Sequence, residues 1–419
     1  MQRTPSPALL LLTVLALAAA VALALPVGLH QHVGNDFHVF WQAGWNVAHG
    51  APLYHGYLPG ARQFKYPPFA ALMFTPLALF PLPVAGVLFS LLNLGLWVVA
   101  VFLTRDILAR TFPDRNRSPV PLVLAVILSA QFVLDNFHHV QVNEITFVLA
   151  LLGVRAYLRG QDLRAALTIV AATALKITPI FFAAWLVIRG RRRAALAVFP
   201  IALACLLVPM LVRGPSSGAA ELVEYYHTFL EGHQHGEVGS YTAGQNIAAL
   251  VSRMTRPPES PESASFQYLP LSEGAAQKLY VAFWAAVLLV FLARLVLLRL
   301  RCAPVSAFEV AMIFLTAMLL SPITFLAHLV PLLFVFATAL SIAPARIRGP
   351  GVVLAAVLLL GIAASGLSGR DLVGGAVYEG VAGYSIFAWT MLLLFGVMVA
   401  LAGRGGPEET DAHSVPGGS

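Results

Sequence analysis

Residues 84–104 read VAGVLFSLLNLGLWVVAVFLT, a run of 21 residues without a charge that ends directly before Arg105. About 20 apolar residues in a helix are enough to cross the hydrocarbon core of a bilayer, so this run predicts a transmembrane helix. The rest of the chain agrees, because 59% of its 419 residues are hydrophobic and only 11% are charged. This composition excludes a soluble globular domain and indicates an all-α polytopic membrane protein.

Further apolar runs follow the same pattern. They lie near 8–27, 120–137, 144–160, 194–213, 276–298, 305–320, 329–343, 350–367 and 383–402. Two shorter runs, 164–177 and 180–188, are separated by Thr178-Pro179 and have basic residues on both outer flanks. They predict a pair of short helices that enters the membrane and returns.

The runs together predict about twelve membrane segments with both termini inside. We expect one transmembrane catalytic domain over residues 1–403 and a disordered cytoplasmic tail over 404–419. Arg3 and the apolar stretch that follows it also fit a secretory signal, so the sequence leaves open whether residues 1–25 are cleaved.

Basic residues are divided unevenly between the two sides of this topology. Eighteen of the 26 Lys and Arg residues, including Arg105 and the cluster 189–193, fall on the side assigned to the inside. Cytoplasmic loops of membrane proteins carry such an excess, which fixes the predicted orientation. The same rule explains the formal net charge of +7, so no nucleic-acid partner is expected.

Polar side chains suited to binding or catalysis concentrate on the opposite, extracytoplasmic side. Two large loops are predicted there, 28–83 and 214–275, and eleven of the 12 histidines fall on this side. The polar residues of this side include Asp36, His38, His138, His139, Gln141, Asn143, His227, His233, His235, Gln245, Asn246 and His328. Lipid anchoring does not require such a concentration, so we expect a functional site on this face.

Residues 35–45 of the first loop, NDFHVFWQAGW, predict a helix that begins at one of its first two residues. We expect this helix to lie along the membrane surface with Phe37, Phe40 and Trp41 at the lipid headgroups. Asp36 stands at its N-terminus, where the ionised form that a general base requires is favoured. The same position also fits a helix cap without any catalytic role.

No metal or nucleotide site is expected. His227, His233 and His235 lack the spacing typical of zinc enzymes. The two cysteines, Cys205 and Cys302, fall in the middle of one run and at the end of another, so we expect neither a disulfide nor a metal site from them. Neither an Asp-x-Asp nor a P-loop sequence occurs in the chain.

Four short blocks resemble, in order, those of glycosyltransferase family 87, which comprises polyprenyl-phosphate-mannose-dependent mannosyltransferases. These blocks are Asp36…Gly50-Ala51-Pro52-Leu53-Tyr54…Tyr66-Pro67-Pro68, Gln141-Val142-Asn143, Leu175-Lys176-Ile177-Thr178-Pro179 and Ser321-Pro322-Ile323-Thr324…His328. The similarity runs over about residues 30–345. The chain departs from the family pattern at Val140, usually Gly, at Phe325, often Trp, and at Ala327, commonly His. The pair Gln245-Asn246 resembles the family's Asn-Gln segment in scrambled order.

The resemblance implies a GT-C fold and the transfer of a hexose, mannose first, from a polyprenyl-phosphate sugar to a glycolipid or polysaccharide hydroxyl. The transfer inverts the anomeric centre, needs no metal and takes place on the outer face of the cell membrane. Asp36 is then the general base, and Lys176 and His328 bind the donor phosphate. The implied substrate-binding residues are Tyr66, Gln141, Asn143, Gln245 and Asn246.

The residues alone leave other interpretations open. A flippase or transporter of lipid-linked sugars also needs outward polar groups, although alternating access should place functional polar residues on both faces. An accessory subunit without catalysis would not require Asp36. Lys176, an ammonium between two membrane segments, indicates a functional charge, but it also fits a lysine that snorkels to the outer headgroups.

Overall fold

The computed structural model describes residues 7–33, 35–55, 62–112, 118–231, 244–257, 267–342 and 350–403, with the backbone alone for 7–17, 230 and 350. Within these ranges the regular structure is helical throughout and contains no strand. The all-α class predicted from the composition is therefore confirmed. The predicted tail 404–419 lies outside the described residues.

Eighteen α-helices follow one another along the described chain. They are α1 Pro7–Leu29, α2 Asp36–Ala48, α3 Pro68–Phe74, α4 Leu82–Thr111, α5 Val120–His138, α6 Asn143–Leu158, α7 Asp162–Leu175, α8 Ile180–Arg189, α9 Arg192–Arg213, α10 Pro215–Tyr225, α11 Ile247–Thr255, α12 Glu273–Leu300, α13 Ala307–Leu320, α14 Leu332–Leu340, α15 Pro350–Gly366, α16 Arg370–Val373, α17 Gly375–Gly383 and α18 Ile386–Leu401. A π-helical turn, Tyr226–Glu231, follows α10, and short 3-10 turns lie at Leu77–Leu79 and Leu326–Leu329.

Four of the described helices, α4, α5, α9 and α12, are long and apolar enough to cross a membrane. The bent pair α17 and α18 is a fifth candidate. The shorter apolar helices differ in burial: α13 is buried at every residue, whereas most described side chains of α15 are exposed or half-buried. The protein is thus a helical membrane protein, whereas the number of about twelve spans stays a prediction.

The break predicted in the middle of the chain is confirmed. Helix α7 ends at Leu175, and α8 begins at Ile180. Proline lacks the backbone N–H of a helix interior and clashes with the preceding turn. Accordingly, Pro179 stands directly before α8 and leaves Lys176 in extended backbone at the end of α7.

The prediction that the aromatic face of α2 meets the lipid headgroups was wrong. Phe37 and Phe40 are 0% and 1% exposed. Phe40 packs on Phe74 of α3 with ring centroids 4.9 Å apart, and Phe37 packs on Phe89 of α4 at 5.3 Å. The reason is that α3 and α4 supply an apolar surface within the protein. Gly44 allows α3 to approach α2 closely, because a Cβ at this position would lie 2.5 Å from the Phe74 carbonyl oxygen.

Neighbouring helices run in opposite directions. As a result, the basic residues for which the sequence predicts a cytoplasmic position lie at the same end of the bundle. Asp106, near the end of α4, accepts from Arg155 at 2.7 Å, and Arg155 lies in the last turn of α6. Arg189 at the end of α8 pairs with the fully buried Glu309 in the first turn of α13, at 3.3 Å. The other ends of these helices carry the predicted site residues, so the two groups occupy opposite ends.

Candidate active site

Asp36 is the first residue of α2, and its carboxylate is turned toward partners outside that helix. One oxygen, Oδ1, forms an ion pair with Arg62. The other, Oδ2, accepts a hydrogen bond of 2.7 Å from Nε2 of Gln141. Asn35 occupies the N-cap position without a side-chain cap bond. The geometry therefore favours a functional role for Asp36 over the capping interpretation.

Gln141 lies in the short connection between α5 and α6 and is held there by its backbone. Its carbonyl oxygen accepts a bond of 2.8 Å from Nδ2 of Asn93 in α4. Its side-chain Oε1 is 3.5 Å from the hydroxyl of Tyr66, so Gln141 bridges Tyr66 and Asp36. Burial and the nearby charge of Asp36 raise the pKa of Tyr66, so its hydroxyl stays protonated and can donate.

Lys176 points into the protein from the break between α7 and α8. Its Nζ donates to Oδ1 of Asn143 at 2.6 Å and lies 5.9 Å from the centre of the Tyr66 ring. Asn143 in turn donates to Asn136 at 2.7 Å, and Asn136 donates to the buried Glu144. These contacts fix the Lys176 amine beside the site. Burial lowers its pKa to about 7, while the charge of Asp36 acts in the opposite direction, so an anionic ligand favours the charged ammonium. A buried amine with these contacts fits a functional group better than a lysine that snorkels to the headgroups.

His328 lies in the 3-10 turn that precedes α14. Its Nδ1 accepts a hydrogen bond of 2.8 Å from the backbone N–H of Phe325. Only an unprotonated ring nitrogen can accept, so the neutral ring must carry its proton on Nε2. Burial and the positive charge of Lys176 also lower the pKa of His328 well below the ordinary value. His328 is therefore a neutral donor through Nε2 rather than a second cation.

A cavity opens beside these groups. Lys176, Asn143 and His328 line it together with Ser321 and Thr324. The remaining wall is mostly apolar and consists of Thr146, Phe147, Ala150, Thr178, Pro179, Phe182, Phe314, Ala317, Met318 and Pro331. A cavity lined by one cation, a few polar groups and a mostly apolar wall fits an amphipathic ligand with an anionic group.

Gln245 and Asn246 take a different position from the one expected of substrate-binding residues. They are 0% and 2% exposed and are absent from the cavity wall. Asn246 caps α11 by accepting from Ala249 N at 2.9 Å, and it donates to the Ser321 carbonyl at 2.6 Å. The Gln245 N–H donates to the Thr324 carbonyl at 2.6 Å. Asn246 therefore holds the segment that leads to His328 through its side chain, and Gln245 holds it through its backbone N–H. The Gln245 side-chain Oε1 accepts from Arg253 at 3.4 Å, while its buried Nε2 has no hydrogen-bond partner among the described residues.

Four further residues belong to the site although the sequence interpretation did not name them: Arg62, Asn93, Asn136 and Glu144. Asn93, Asn136 and Glu144 lie in apolar helices and are almost fully buried. A polar residue inside a membrane segment is costly and usually functional, which was the signal available in the sequence. Arg62 gave no such signal, because an exposed arginine in a loop is common.

Among the described residues, no three His, Cys, Asp or Glu side chains are close enough to hold a metal ion together. His227 bonds to Glu231 at 2.6 Å, while His233 and His235 lie outside the described residues. Cys205 and Cys302 are both free, as the sequence predicts.

The fold and the site define a helical membrane protein with a carboxylate and a lysine beside one amphipathic cavity. Residues 64–322 match Glycosyltransferase family 87. The match covers more than half of the chain, so the protein belongs to this family. The resemblance drawn from the short sequence blocks is confirmed.

Two relatives from Mycobacterium tuberculosis share part of the sequence. A polyprenol-phosphate-mannose-dependent alpha-(1-2)-phosphatidylinositol mannoside mannosyltransferase (strain ATCC 25618 / H37Rv) is 29% identical over 230 residues, which are 51% of each chain. A polyprenol-phosphate-mannose-dependent alpha-(1-2)-phosphatidylinositol pentamannoside mannosyltransferase (strain CDC 1551 / Oshkosh) is 28% identical over 232 residues, 52% of this chain and 50% of the relative. The chain thus matches about half the length of these curated relatives.

One solved structure is also similar to the fold. It is the crystal structure of ArnT from Cupriavidus metallidurans bound to undecaprenyl phosphate, with a TM-score of 0.43 and 13% identity. The similarity covers 94% of this chain and 77% of that chain.

Proposed function

We propose that the protein is a GT-C-type hexosyltransferase of the cell membrane that moves mannose from a polyprenyl-phosphate donor to a glycolipid or polysaccharide hydroxyl. One observation carries the proposal: Gln141 bonds to both Tyr66 and Asp36, a base, and Lys176, a cation that lines the amphipathic cavity, lies 5.9 Å from the centre of the Tyr66 ring. Membership of family 87 and the activity named for both relatives support the same donor.

The reaction balances with these groups alone. Asp36 takes the proton of the acceptor hydroxyl, whose oxygen forms a bond to the anomeric carbon while the bond from that carbon to the phosphate oxygen breaks. Attack opposite to the leaving group inverts the anomeric centre. The bonding electrons leave on polyprenyl phosphate, and Lys176 stabilises the charge that develops there. Nε2–H of His328 supplies a neutral hydrogen bond to the same phosphate.

The remaining residues orient the base and the sugar. Gln141 holds Asp36 through Nε2, and Tyr66 holds Gln141 through its hydroxyl. Asn143 holds the ammonium of Lys176 beside the cavity. The Arg62 side chain is 62% exposed, so it can swing away from Asp36 when the acceptor arrives. The apolar cavity wall suits the first part of the lipid chain, and the donor site takes no nucleotide and needs no metal.

Purified protein in liposomes with radiolabelled polyprenyl-phosphate mannose and a membrane lipid extract tests the proposal. We expect label to move into a glycolipid or glycan product while polyprenyl phosphate is released, and unlabelled glucose, galactose or arabinofuranose donors to compete less well. The flippase alternative predicts a different result. It would move intact labelled donor between leaflets without forming a product, and that result would contradict the proposed transferase.

A further inference from the structure

A polar pair at the outer end of α5 has no role in the reaction described above. Asp135 and His139 lie one helical turn apart, with Oδ1 and Nδ1 3.5 Å from each other. Their side chains are 27% and 43% exposed, so water or a ligand can reach both. The Asp135 carboxylate also accepts a hydrogen bond from the backbone N–H of Ala327.

One hydrogen bond and one electrostatic interaction place this pair near the proposed reaction centre. Ala327 directly precedes His328, so Asp135 is anchored to the segment that carries the phosphate-binding histidine. The charge of Asp36 also acts on the Asp135 carboxylate. Neither Asp135 nor His139 lines the cavity that contains Lys176. The pair therefore lies near the base and outside the pocket assigned to the donor.

Charge decides which part of the substrates this pair can bind. A carboxylate repels the donor phosphate, which excludes Asp135 from the phosphate site. It accepts hydrogen bonds from hydroxyl groups, and its two oxygens have about four acceptor positions, of which Ala327 and His139 occupy only part. Hydroxyl groups of a sugar fit this pair, and the sugar that approaches from the water beside Asp36 is the acceptor.

The neighbouring helix α17 borders the region around Asp135 and adds further polar groups to it. The charges of Asp135 and Arg253 act on Tyr378 of α17. Arg370 lies over the Tyr378 ring at 5.4 Å and forms an ion pair with Glu379. The surface around Asp135 is therefore polar on the α17 side as well, as a sugar rather than a lipid chain requires.

We propose that Asp135 and His139 form a subsite that binds hydroxyl groups of the acceptor sugar next to Asp36. This subsite rests on the proposed function, since it presupposes that an acceptor hydroxyl is deprotonated by Asp36. It separates the two substrates: the donor occupies the cavity on one side of the 326–329 turn, and the acceptor sugar binds on the other side.

The test uses the full-length protein in liposomes with saturating polyprenyl-phosphate mannose and octyl α-D-mannopyranoside as the acceptor probe. Asp135→Asn keeps an oxygen for the Ala327 N–H and removes the charge. A hydrogen bond to a charged group contributes enough that its loss should raise the half-saturating concentration of the mannoside about 10-fold or more. The donor KM and the thermal midpoint should stay within about twofold and a few degrees of wild type, respectively.

Glu273→Gln is the matched control, since Glu273 is an 85% exposed carboxylate at the start of α12. It should change neither half-saturating concentration. Unaltered mannoside saturation in Asp135→Asn, an equal rise in donor KM, or a wild-type protein whose donor consumption ignores the mannoside would each overturn the subsite. A wild-type protein that consumes no donor would instead contradict the proposed function itself.

Discussion

The ammonium of Lys176 is held by Asn143 at 2.6 Å, faces the ring of Tyr66 and lines the cavity. If it stabilises the leaving phosphate, Lys176→Met should lower kcat/KM for the donor by about 10²-fold or more, as other losses of transition-state charge stabilisation do. Lys176→Arg should keep the charge but misplace it, and so retain part of the activity. Donor titrations of both variants measure this.

The matched control for Lys176 is Lys278→Met, because Lys278 is exposed near the start of α12. It should leave donor kinetics unchanged. Wild-type donor affinity and turnover in Lys176→Met would remove Lys176 from the site and return it to a lysine that serves only the membrane interface.

His328 gives a pH dependence with a definite sign. Its pKa in the folded protein lies well below the ordinary value of 6.5, because of burial and the charge of Lys176. Between these two values the unfolded chain binds a proton that the folded protein does not, so stability falls as the pH drops below 6.5. His328→Asn keeps an acceptor for the Phe325 N–H and does not titrate. The thermal midpoint of the wild type should therefore fall further between about pH 7.5 and about pH 5.5 than that of the variant.

Equal falls in the two proteins would contradict a neutral, half-buried His328 with a lowered pKa. The same variant also tests its chemical role. Because Asn lacks the Nε2–H, donor turnover should drop at neutral pH even though the Phe325 contact is kept.

The sequence identifies candidate site residues better than it predicts which groups those residues contact. Asp36, Lys176 and His328 could be named because each is an ionisable group in a loop of one side of the topology, within a block that resembles the family. Gln245 and Asn246 are neutral amides that also stand in a loop of this side, within a segment that resembles the family, yet the Gln245 N–H and the Asn246 side chain bond to the Thr324 and Ser321 backbone. Which polar loop residue reaches the cavity depends on packing between distant segments, which periodicity and charge do not encode.

At the level of secondary structure, α2 positions Asp36 through its contact with α3. A Cβ on Gly44 would come within 2.8 Å of three backbone atoms of Phe74 and Thr75, so Gly44→Ala must push the two helices apart. We expect a loss of about 1–3 kcal/mol in stability. We also expect a lower kcat, since a shift of about 1 Å at a reacting group can cost about 10²-fold. Thermal unfolding and turnover of the variant measure the two effects.

Gly95→Ala is the control, because a Cβ at Gly95 in α4 meets nothing within 4 Å. It should leave turnover unchanged and stabilise α4 slightly through its higher helix propensity. A Gly44→Ala protein with wild-type stability and turnover would show that the contact between α2 and α3 does not fix Asp36.

The sequence shows that Val140 departs from the family pattern, but it does not explain the departure. It stands where family 87 usually has Gly, and its backbone φ is 49°, in the left-handed region. A β-branched residue there costs roughly 1–2 kcal/mol, whereas glycine adopts this conformation freely. The turn is required because Gln141 must point back toward Asp36 directly after α5 ends. The buried Val140 side chain packs in the core around α2, and this contact offsets part of the strain.

For the whole molecule, the separation of the two ends predicts a labelling pattern. Cysteines introduced singly at His49 and Arg192, both exposed, should react with an impermeant reagent from opposite sides of the membrane in a background that lacks Cys205 and Cys302. The excess of Arg at one end assigns Arg192 to the cytoplasmic side. Labelling of both positions from the same side would refute this topology and the outward-facing site.

Helix positions and the central break were accessible from the sequence because apolar runs and proline act locally. The burial of α2 could not be predicted from the sequence, since it depends on the surface that α3 and α4 form against this helix. The same limit applies to the span number, because a mostly apolar helix such as α13, with Glu309 as its one charged residue, has a similar composition whether it meets lipid or protein.

The central claim is that Asp36 is the base of a sugar transfer from polyprenyl phosphate. Asp36→Asn keeps the size of the side chain and an oxygen for Gln141, but it removes the basicity. Transfer from radiolabelled polyprenyl-phosphate mannose in liposomes should fall by about 10²–10⁴-fold, while donor binding and the thermal midpoint stay near wild type. Near-wild-type transfer by Asp36→Asn would contradict the account.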